Sequence, residues 1–348
     1  MTDTKIDIRQ LSLEELQVYF QESGLQKFRA KQVYEWLWKK HAHDFASMTN
    51  LSKQLRSDLE ERFEILPITL DTAQHSSDGT IKFRFRLHDE AMIESVLIPV
   101  EKDNRYTVCV SCQVGCSLSC NFCATGQMKR VRNLTAAEIY DQIVFVNNQC
   151  METFGHPLTN IVYMGMGEPL LTYQQVKRSI EIISSEDGLG MSPRRITIST
   201  AGIAKMIKKL ADDNLRVNLA LSLHAADDEK RNSIMAINEQ NNLAKLIDAL
   251  KYFYQKTKNK ISYEYIAFRD FNDGITDAKN LWKLCKHFPV NINVIEYNPV
   301  EGLDFTKADA DKIDRFAQFI RDKGVMISVR RSRGKDIDAA CGQLANKE

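Results

Sequence analysis

Five of the eight cysteines lie within fifteen residues, from Cys109 to Cys123 (CVSCQVGCSLSCNFC). Three of these residues, Cys116, Cys120 and Cys123, are separated by three and then by two residues. Thiolates at this spacing, on a loop that leaves the strand predicted over 106–110, can bind one iron–sulfur cluster and leave one iron without a protein ligand. That iron would be free to bind a small molecule.

A zinc site or a chance grouping could also produce three neighbouring cysteines. A structural zinc site would normally use paired CxxC or Cys/His elements and a fourth protein ligand. Buried cysteines can also cluster by chance. We favour the iron–sulfur cluster, because the x3/x2 spacing and the aromatic Phe122 before the last cysteine are typical of radical S-adenosylmethionine (SAM) enzymes.

The composition of the 348-residue chain sets the cellular context. Its first residues lack the pattern of a secretory signal, and no apolar run approaches the roughly 20 residues that a membrane helix needs. We therefore expect a cytoplasmic protein with no membrane partner. In that reducing compartment, cysteines indicate metal binding or thiol chemistry rather than structural disulfides. The net charge of +1 predicts that any nucleic-acid binding comes from local basic patches.

The elements around the cysteines suggest three parts. Residues 1–64 are predicted to form a helical module, in which LSLEELQVYFQESG begins with a possible capping box of Ser12 and Glu15. Residues 65–104 alternate apolar and polar residues in TIKFRFRL and AMIESVLIPV, which predicts a small extension of two or three antiparallel strands. Residues 105–348 contain the cysteines and form the third part.

Basic residues in the first two parts have two interpretations. Both the helical module and the strand TIKFRFRL can be solvated surfaces, or they can contact an RNA backbone. Composition does not separate these alternatives. Glu94 interrupts the second apolar strand and would by itself be interpreted as an outward-facing strand residue. The basic residues of the helical module are Lys27, Arg29, Lys31, Lys39 and Lys40.

From residue 105 onwards, apparent strands alternate with amphipathic helical stretches. This alternation is typical of parallel β/α units, and the repeat count favours an α/β fold with an incomplete (β/α)6-type barrel. One side of such a barrel is open to a large substrate, and its active groups gather at the carboxyl ends of the strands. Strands are predicted over 106–110, 160–164, 195–199, 217–223, 261–268, 291–297 and 325–330.

The predicted strand ends carry polar or glycine-rich residues. Each one alone is more typical of a turn or a helix cap than of a ligand-binding residue. Together on one rim, beside the cysteine loop, they predict a SAM pocket. The candidate residues are Gly167 and Glu168 in MGMGEP, Ser199, the run Ser222, Leu223 and His224, and Asn298.

Several longer motifs resemble one known family, the radical-SAM RNA adenine methyltransferases, and in particular the branch that methylates C2 (RlmN). The resemblance covers nearly the whole chain, including FRAKQVYEWLW in the helical module. It rests on CxSxQxGCxxxCxFCATG at 109–126, RNLT at 132–135, MGMGEPLL at 164–171, SPRRITISTAG at 192–202, LSLHAADDEKR at 221–231, EYNPVEG at 296–302 and RGKDIDAACGQLA at 333–345.

This resemblance implies roles for particular residues. It implies a [4Fe-4S] cluster on Cys116, Cys120 and Cys123. Cys341 is implied as the methyl carrier, although the residue alone would be interpreted as a small buried hydrophobe. Cys109 resembles the second catalytic cysteine, and Glu94 the proton acceptor, although its spacing from Cys109 is about two residues longer than in the family pattern. Cys112 stands where the family pattern has serine or threonine, and the sequence leaves its role open.

The implied chemistry explains why two SAM molecules are used per turnover. Adenine C2 is an electron-poor carbon that cannot attack the methyl group of SAM. The resemblance implies that one SAM methylates Cys341 and that a second SAM, bound to the open iron, gives a 5′-deoxyadenosyl radical that activates the S-methyl group. Addition to C2, proton loss and attack by Cys109 release the product. The remaining Cys109–Cys341 disulfide must be reduced in the cytosol.

The implied partners are 23S rRNA, tRNA and a cytosolic electron donor such as flavodoxin, with the enzyme itself a monomer. Candidate contacts to RNA phosphates are Lys129, Arg130, Arg132, Arg330, Arg331 and Arg333, some of which can be simply solvated. Two alternatives stay open at this point. One is the sibling activity that methylates adenine C8, and the other is a non-catalytic RNA-binding protein that contains zinc.

Overall fold

A computed structural model of the chain describes residues 5–346. Its strands are β1 (Ile6–Asp7), β2 (Phe63–Glu64), β3 (Thr69–His75), β4 (Ile81–Arg86), β5 (Met92–Val100), β6 (Arg105–Cys109), β7 (Gln113–Val114), β8 (Arg132–Asn133), β9 (Asn160–Tyr163), β10 (Ile196–Thr200), β11 (Asn218–Ser222), β12 (Ile261–Ala267), β13 (Asn291–Glu296) and β14 (Ile327–Arg330). Its helices are α1 (Leu13–Glu22), α2 (Lys27–Trp38), α3 (Lys53–Arg62), α4 (Ala124–Gln127), α5 (Ala136–Phe154), α6 (Tyr173–Ser184), α7 (Ala204–Asp213), α8 (Asp228–Ile234), α9 (Leu243–Thr257), α10 (Ile275–Leu284) and α11 (Ala310–Asp322).

Ten of the strands form one sheet, in the order β14-β13-β12-β11-β10-β9-β6-β5-β4-β3. The strands from β6 to β14 are parallel in this sheet, and β3, β4 and β5 continue it in antiparallel pairing. Helices α5, α6, α7, α9, α10 and α11 connect successive parallel strands. These six β/α units confirm the predicted incomplete (β/α)6-type barrel.

The helices cover one face of this sheet. Tyr263 and Tyr265 of β12 pack their rings against Phe288 and Phe316, which lie after α10 and in α11. Successive strand side chains point to opposite faces, so Glu264, between the two tyrosines, points away from the helices. We call this second face the inner face. Any group that the barrel encloses must lie against it.

The N-terminal helices pack on the barrel and share its hydrophobic core. Arg9 is buried and forms ion pairs with Asp7 (2.9 Å) and with Asp141 of α5 (2.8 Å). The Tyr140 hydroxyl of α5 donates a hydrogen bond to the Trp38 carbonyl at 2.6 Å. The predicted capping box at Ser12 is present at the start of α1.

The three antiparallel strands belong to the same sheet as the barrel strands, and carboxylates neutralise their basic residues. The Lys82 ammonium lies 3.5 Å from Glu94, and the guanidinium groups of Arg84 and Arg86 lie 2.6 and 3.1 Å from Asp71. This pairing favours a structural role for the strand TIKFRFRL over an RNA surface. The domain boundaries near residues 64 and 104 stay a prediction. Within residues 5–346, no helix has the length and apolar character needed to cross a bilayer.

Candidate active site

The three predicted cluster ligands lie on the loop between β7 and α4. The Cys123 amide donates a hydrogen bond to the Cys120 carbonyl at 3.2 Å, which turns the loop back on itself. A Cβ on Gly126 would lie 2.7 Å from the same carbonyl oxygen, so only glycine lets α4 pack this closely on the loop. The backbone of the loop is therefore positioned by neighbours a few residues away and by α8, where the Ile234 carbonyl accepts a hydrogen bond from the Asn121 amide at 3.1 Å.

The donor set of this loop fits an iron–sulfur cluster. Burial raises the pKa of the Cys116, Cys120 and Cys123 thiols, and the proximity of Cys123 raises the pKa of the other two further. The thiols are thus close enough to repel one another as thiolates, and metal binding would offset that repulsion. Among residues 5–346, no three His, Cys, Asp or Glu side chains come close enough together to share a single metal ion.

An apolar cluster surrounds the cysteine loop on the inner face. It contains Phe122 from the loop and Phe268 and Tyr297 from the ends of β12 and β13, with Cys120 and Cys123 packed against it. The ring of Phe268 lies 5.6 Å from that of Phe122 and 5.1 Å from that of Tyr297. Such a surface excludes water from the thiols and strengthens electrostatic interactions near them.

Gly165 and Gly167 allow two strand ends to pack closely. A Cβ on Gly165 would lie 2.7 Å from the Val110 carbonyl, and Gly167, with a φ of +98°, would place a Cβ 2.5 Å from the side chain of Gln113. Sequence analysis placed Gly167 in the predicted SAM pocket, and a residue without a Cβ can leave room for a ligand. At both glycines, however, protein atoms already occupy the space into which a Cβ would project. The role of Gly167 in SAM binding stays a prediction.

Glu168 is buried and joins the ends of β9 and β10. Its carboxylate accepts hydrogen bonds from the Leu170 amide at 3.0 Å and from the Ala201 amide at 2.7 Å. Burial raises its pKa, and these bonds oppose that shift. The carboxylate lies near the cysteine loop, and its charge therefore also raises the pKa of Cys116 and Cys120.

Polar side chains form a belt across the inner face. The predicted residues Ser199 and Ser222 have hydroxyl oxygens 3.3 Å apart. Ser222 pairs in register with Glu264, Glu264 with Asn293, and Asn293 with Ser328. We call these five residues the polar belt. Sequence analysis missed the last three, although a carboxylate inside the apolar strand ISYEYIAF was a visible signal.

Leu223 and His224 follow the belt at the end of β11. Both backbone amides donate to the Glu264 carbonyl, and His224 has a φ of +55°. The His224 Nδ1 accepts a hydrogen bond from the Ile266 amide at 3.1 Å, so Nε2 carries the proton of the neutral ring. Burial lowers the His224 pKa to about 3, which keeps this ring neutral. The ring packs edge-on against Phe122 at 4.8 Å.

Arg231 of α8 is a buried residue that sequence analysis did not select. Its guanidinium donates to the carbonyls of Ala201, Ser222 and Leu223 and to the Asn238 side chain. Burial lowers its pKa to about 10. By binding carbonyls at two neighbouring strand ends, Arg231 positions the segment that contains Ser222 and His224. The dipeptide KR inside LSLHAADDEKR does not reveal which of the two residues is buried.

The C-terminal tail reaches the cysteine loop from the far end of the chain. The Ala124 amide of α4 donates to the Gly342 carbonyl at 2.7 Å, and the Thr125 hydroxyl donates to the Leu344 carbonyl at 2.6 Å. The predicted residue Asn298 donates to the Cys341 carbonyl at 3.5 Å. These contacts place Cys341 between α4 and the end of β13.

Glu94 holds the other end of the tail. Its side chain is 1% exposed, so it is not the outward-facing strand residue that its position alone suggested. The Oε2 atom accepts hydrogen bonds from the amides of Ala345 (2.9 Å) and Asn346 (3.2 Å), while Oε1 lies 3.5 Å from the Lys82 ammonium. Glu94, on β5, therefore anchors the part of the tail that follows Cys341.

The two predicted catalytic cysteines share the barrel interior. Cys341 is exposed, and it lies close enough to Glu264 on the inner face for that charge to act on its thiol. Burial raises the Cys341 pKa, and the charges of Glu264 and Cys123 raise it further. Burial, and then the proximity of Cys341, raise the pKa of Cys109. The structure thus brings together thiols that lie more than two hundred residues apart in the sequence.

Cys112 is buried beside the segment that follows β9. Its amide (2.9 Å) and its thiol (3.6 Å) both donate to the Met166 carbonyl. Burial raises its pKa well above the usual value for cysteine, so the thiol stays protonated. A serine or threonine at this position could donate the same hydrogen bond, which accounts for the departure from the family pattern.

Comparison with known proteins agrees with this geometry. Residues 6–65 match the family model of the ribosomal RNA large subunit methyltransferase N-terminal domain, and residues 110–280 match that of the radical SAM superfamily. A probable dual-specificity RNA methyltransferase RlmN from Cytophaga hutchinsonii is 54% identical over 98% of this chain and 93% of its own length. The chain belongs to the RlmN family.

Two further relatives extend this result. A dual-specificity RNA methyltransferase RlmN from Nautilia profundicola is 42% identical, over 94% of this chain and 95% of that protein. The crystal structure of a radical SAM methyltransferase from Sphaerobacter thermophilus superimposes with a TM-score of 0.91 and 39% identity, over 98% of this chain and 100% of that one. Family membership thus establishes a radical-SAM methyltransferase that uses a [4Fe-4S] cluster and SAM, and it removes the zinc-protein alternative.

Proposed function

We propose that this enzyme methylates C2 of a specific adenine in 23S rRNA and of an adenine in tRNA. The observation that carries the proposal is the docking of the C-terminal tail, which puts Cys341 into the same interior as Cys109 and the cluster loop. A barrel that only bound RNA would have no use for two neighbouring thiols beside a loop with three cysteines. The names of the relatives supply the RNA substrates.

Cys116, Cys120 and Cys123 are proposed to hold the cluster. Gly167, Glu168, Ser199, Ser222, Leu223, His224 and Asn298 are proposed to line the SAM pocket. When bound, the cluster and SAM supply an electron, a methyl group and a 5′-deoxyadenosyl radical. The chain itself orients these groups and excludes water through the apolar cluster around Phe122.

Cys341 is proposed to carry the one-carbon unit to the base. Its thiol loses a proton when it gains the methyl group, and the tail contacts hold the sulfur over the barrel interior. After the carbon is joined to C2, Glu94 is proposed to accept the proton that leaves the base. The cluster would take back the one unpaired electron left on the base. The Cys109 thiolate then attacks the sulfur of Cys341: an S–S bond forms, the C–S bond breaks, and its electron pair takes up a proton at the carbon, which completes the methyl group and releases the base. Two electrons and two protons from a cytoplasmic donor such as flavodoxin regenerate both thiols.

RNA is proposed to bind along the rim beside the tail. Glu296, at the end of β13, is buried and is contacted by three cations: Lys307 (3.2 Å), Lys335 (2.9 Å) and Arg331. Burial by itself would raise the Glu296 pKa, but hydrogen bonds from these three residues lower it to about 2. The group keeps a net charge of +2 on half-exposed side chains, which suits a phosphate backbone.

The other candidate RNA contacts differ in their exposure and in whether carboxylates pair with them. Lys129, Arg130 and Arg330 are exposed and have no ion pair among residues 5–346. Arg132 is paired with Asp89 (2.6 Å) and Glu138 (2.8 Å), so we leave it out of the proposed surface. Arg333 donates to two carbonyls and is half-buried.

In the helical module, Lys40 lies 4.1 Å over the Trp36 ring and Arg29 lies 4.8 Å over the exposed Phe28 ring. This arrangement suits RNA bases and phosphates.

An anaerobic assay tests the activity. The reconstituted enzyme, acting as the proposed monomer, is given SAM with a deuterated methyl group and a 23S rRNA fragment, and the modified nucleoside is identified by mass spectrometry. We expect 2-methyladenosine that carries two deuterium atoms from the transferred methyl group, because one hydrogen is abstracted on Cys341 and one is regained from another source. An 8-methyladenosine product would overturn the C2 assignment in favour of the sibling activity.

The RNA surface has a separate test. Replacing Lys335 with Ala removes one rim charge, so binding of the rRNA fragment should weaken at low salt. The slope of log affinity against log salt should fall by about 1. An unchanged slope would remove this rim from the proposed surface without affecting the proposed chemistry.

A further inference from the structure

Glu264 is a buried carboxylate in the middle of β12, with a side chain only 5% exposed. Two groups donate hydrogen bonds to its Oε1 atom: the Ser262 hydroxyl at 2.7 Å and the Asn293 amide at 2.7 Å. Asn293 is held in turn by the Ser328 hydroxyl at 2.9 Å. The carboxylate is therefore oriented by a chain of neutral donors on three adjacent strands.

This carboxylate has no cation within ion-pair distance among residues 5–346. The other two buried glutamates near the tail do have cations: Glu94 lies beside Lys82, and Glu296 has three basic partners. Burying a carboxylate costs several kcal/mol unless it is paired with a cation or well hydrogen-bonded. An oriented, buried carboxylate without a protein cation is typical of a site whose cation arrives with a ligand.

The position of Glu264 indicates which ligand that is. It pairs in register with Ser222, whose hydroxyl lies beside Ser199, and both serines belong to the proposed SAM pocket. Its charge also acts on the thiol of Cys341, the proposed methyl acceptor. Transfer of a methyl group between two sulfur atoms requires the donor sulfur to lie next to that thiol. The donor sulfur of SAM is a sulfonium, which is a cation.

We propose that Glu264 is the counter-charge for the SAM sulfonium, held in place by Ser262 and Asn293. This inference rests on the proposed function, since it assumes that SAM occupies the polar belt. In this role Glu264 does not touch the cluster and does not recognise the amino-acid end or the ribose of SAM. It selects for positive charge at the sulfur position.

The wild-type enzyme gives the first test, with its cluster reconstituted under anaerobic conditions. Binding of three ligands is measured by equilibrium dialysis: SAM, S-adenosylhomocysteine, which has a neutral sulfur, and sinefungin, which has an ammonium group in place of the methylated sulfur. All three share the amino acid, the ribose and the adenine. We expect SAM and sinefungin to bind about tenfold or more tightly than S-adenosylhomocysteine, because an ion pair in a barrel of low dielectric constant is strong. Equal affinities for all three would overturn the proposal.

The second test compares two isosteric variants. Glu264→Gln keeps a carbonyl oxygen for Ser262 and Asn293 but removes the charge. We expect it to lose most of the preference for the cationic ligands while its affinity for S-adenosylhomocysteine stays within about twofold of wild type. The matched control is Glu138→Gln, at a glutamate that is similarly buried but paired with Arg132 on the outer side of the barrel. That variant should keep the full preference.

The outcomes separate this inference from the proposed function. If Glu264→Gln weakens all three ligands equally, Glu264 binds a shared part of SAM, such as the ribose, and the inference is wrong. If the preference is unchanged in the variant, the cluster alone supplies the counter-charge, and the inference is again wrong. If the wild-type enzyme binds none of the three ligands, the proposed SAM site itself fails. The wild-type comparison stands even if the variant does not fold.

Discussion

The two halves of the site, the cysteine loop and the C-terminal tail, are positioned in different ways. In the loop, Cys116, Cys120 and Cys123 lie within eight residues, and the turn that spaces them is shaped by Gly126 and by the loop itself, with one further anchor from Asn121 to the end of α8. In the tail, the contacts around Cys341 come from residues such as Thr125 and Glu94, which precede it by more than two hundred positions. The spacing of the three thiols is therefore set mainly by local contacts, and the position of the tail by tertiary ones.

The kinds of atoms in these contacts also differ. The loop presents its thiols to the proposed cluster. The tail is held mainly through its backbone, by the carbonyls of Gly342 and Leu344 and the amides of Ala345 and Asn346, with side-chain bonds from Gln343 and Asn346. Backbone contacts leave the thiol of Cys341 uncommitted. A carrier residue must react in turn with a methyl donor, a base and a second thiol. A side chain that is not needed to hold the tail in place suits this role. The two halves should therefore be separable by mutation.

The largest expected effect is that of Cys341→Ala. Because the cluster ligands are all in the loop, this variant should keep the iron and sulfide content of wild type, yet form no methylated RNA. Iron analysis and the rRNA assay measure the two properties on one sample. The control is Cys285→Ala, since Cys285 lies just after α10, where its thiol donates to the Leu281 carbonyl, and it belongs to no part of the proposed site. Normal product from Cys341→Ala would contradict the carrier role.

A smaller effect is expected when the tail loses one anchor. Thr125→Val keeps the shape of the side chain but removes the hydroxyl that donates to the Leu344 carbonyl. Leaving this buried carbonyl without a donor should destabilise docking by about 1–3 kcal/mol. We expect faster hydrogen exchange in residues 338–346 and slower methylation, with an unchanged iron content. If the iron content fell together with the activity, the loop and the tail would not be separable.

Gly342→Ala tests the backbone of the tail. Gly342 has a φ of +84°, and an added Cβ would meet only the Phe122 carbonyl, at an ordinary 3.6 Å. The expected cost is therefore conformational, about 1–2 kcal/mol. Gly324→Ala is a matched control, because Gly324 has a φ of +76° after α11 and no atom within 4 Å. Both variants should lose similar stability in thermal unfolding. Only Gly342→Ala should loosen the tail in hydrogen exchange, and equal exchange in the two would contradict this.

The smallest effect is expected for Cys112→Ser. The serine hydroxyl can donate to the Met166 carbonyl as the thiol does, so cluster content and methylation should stay close to wild type. Iron analysis and the rRNA assay again provide the measurement. A loss of the cluster would show that Cys112 is a ligand and that the loop uses four cysteines instead of three.

Much of this architecture could be predicted from local patterns. The seven parallel strands of the barrel lie within two residues of the predicted ones, because buried parallel strands are short apolar runs bounded by turn residues. The short strands β7 and β8 were not predicted. The three cysteines proposed as cluster ligands were selected from their spacing. The basic alternation in TIKFRFRL, by contrast, suggested a possible RNA surface, and only the structure reveals that Asp71 and Glu94 neutralise it. Partners so far along the chain leave no local signal.

By itself, the sequence determined the β/α repeat, the loop with three thiols and, through resemblance, the family to which the chain belongs. Only the tertiary structure decided which buried charges have partners. Glu94, Glu264 and Glu296 all interrupt apolar strands in the same way. One anchors the tail, one lies in the interior with no cation near it in the described part of the chain, and one is surrounded by three cations at the rim. The physical reason is that the energy of a buried charge depends on neighbours brought together by folding, and these neighbours come from every part of the chain.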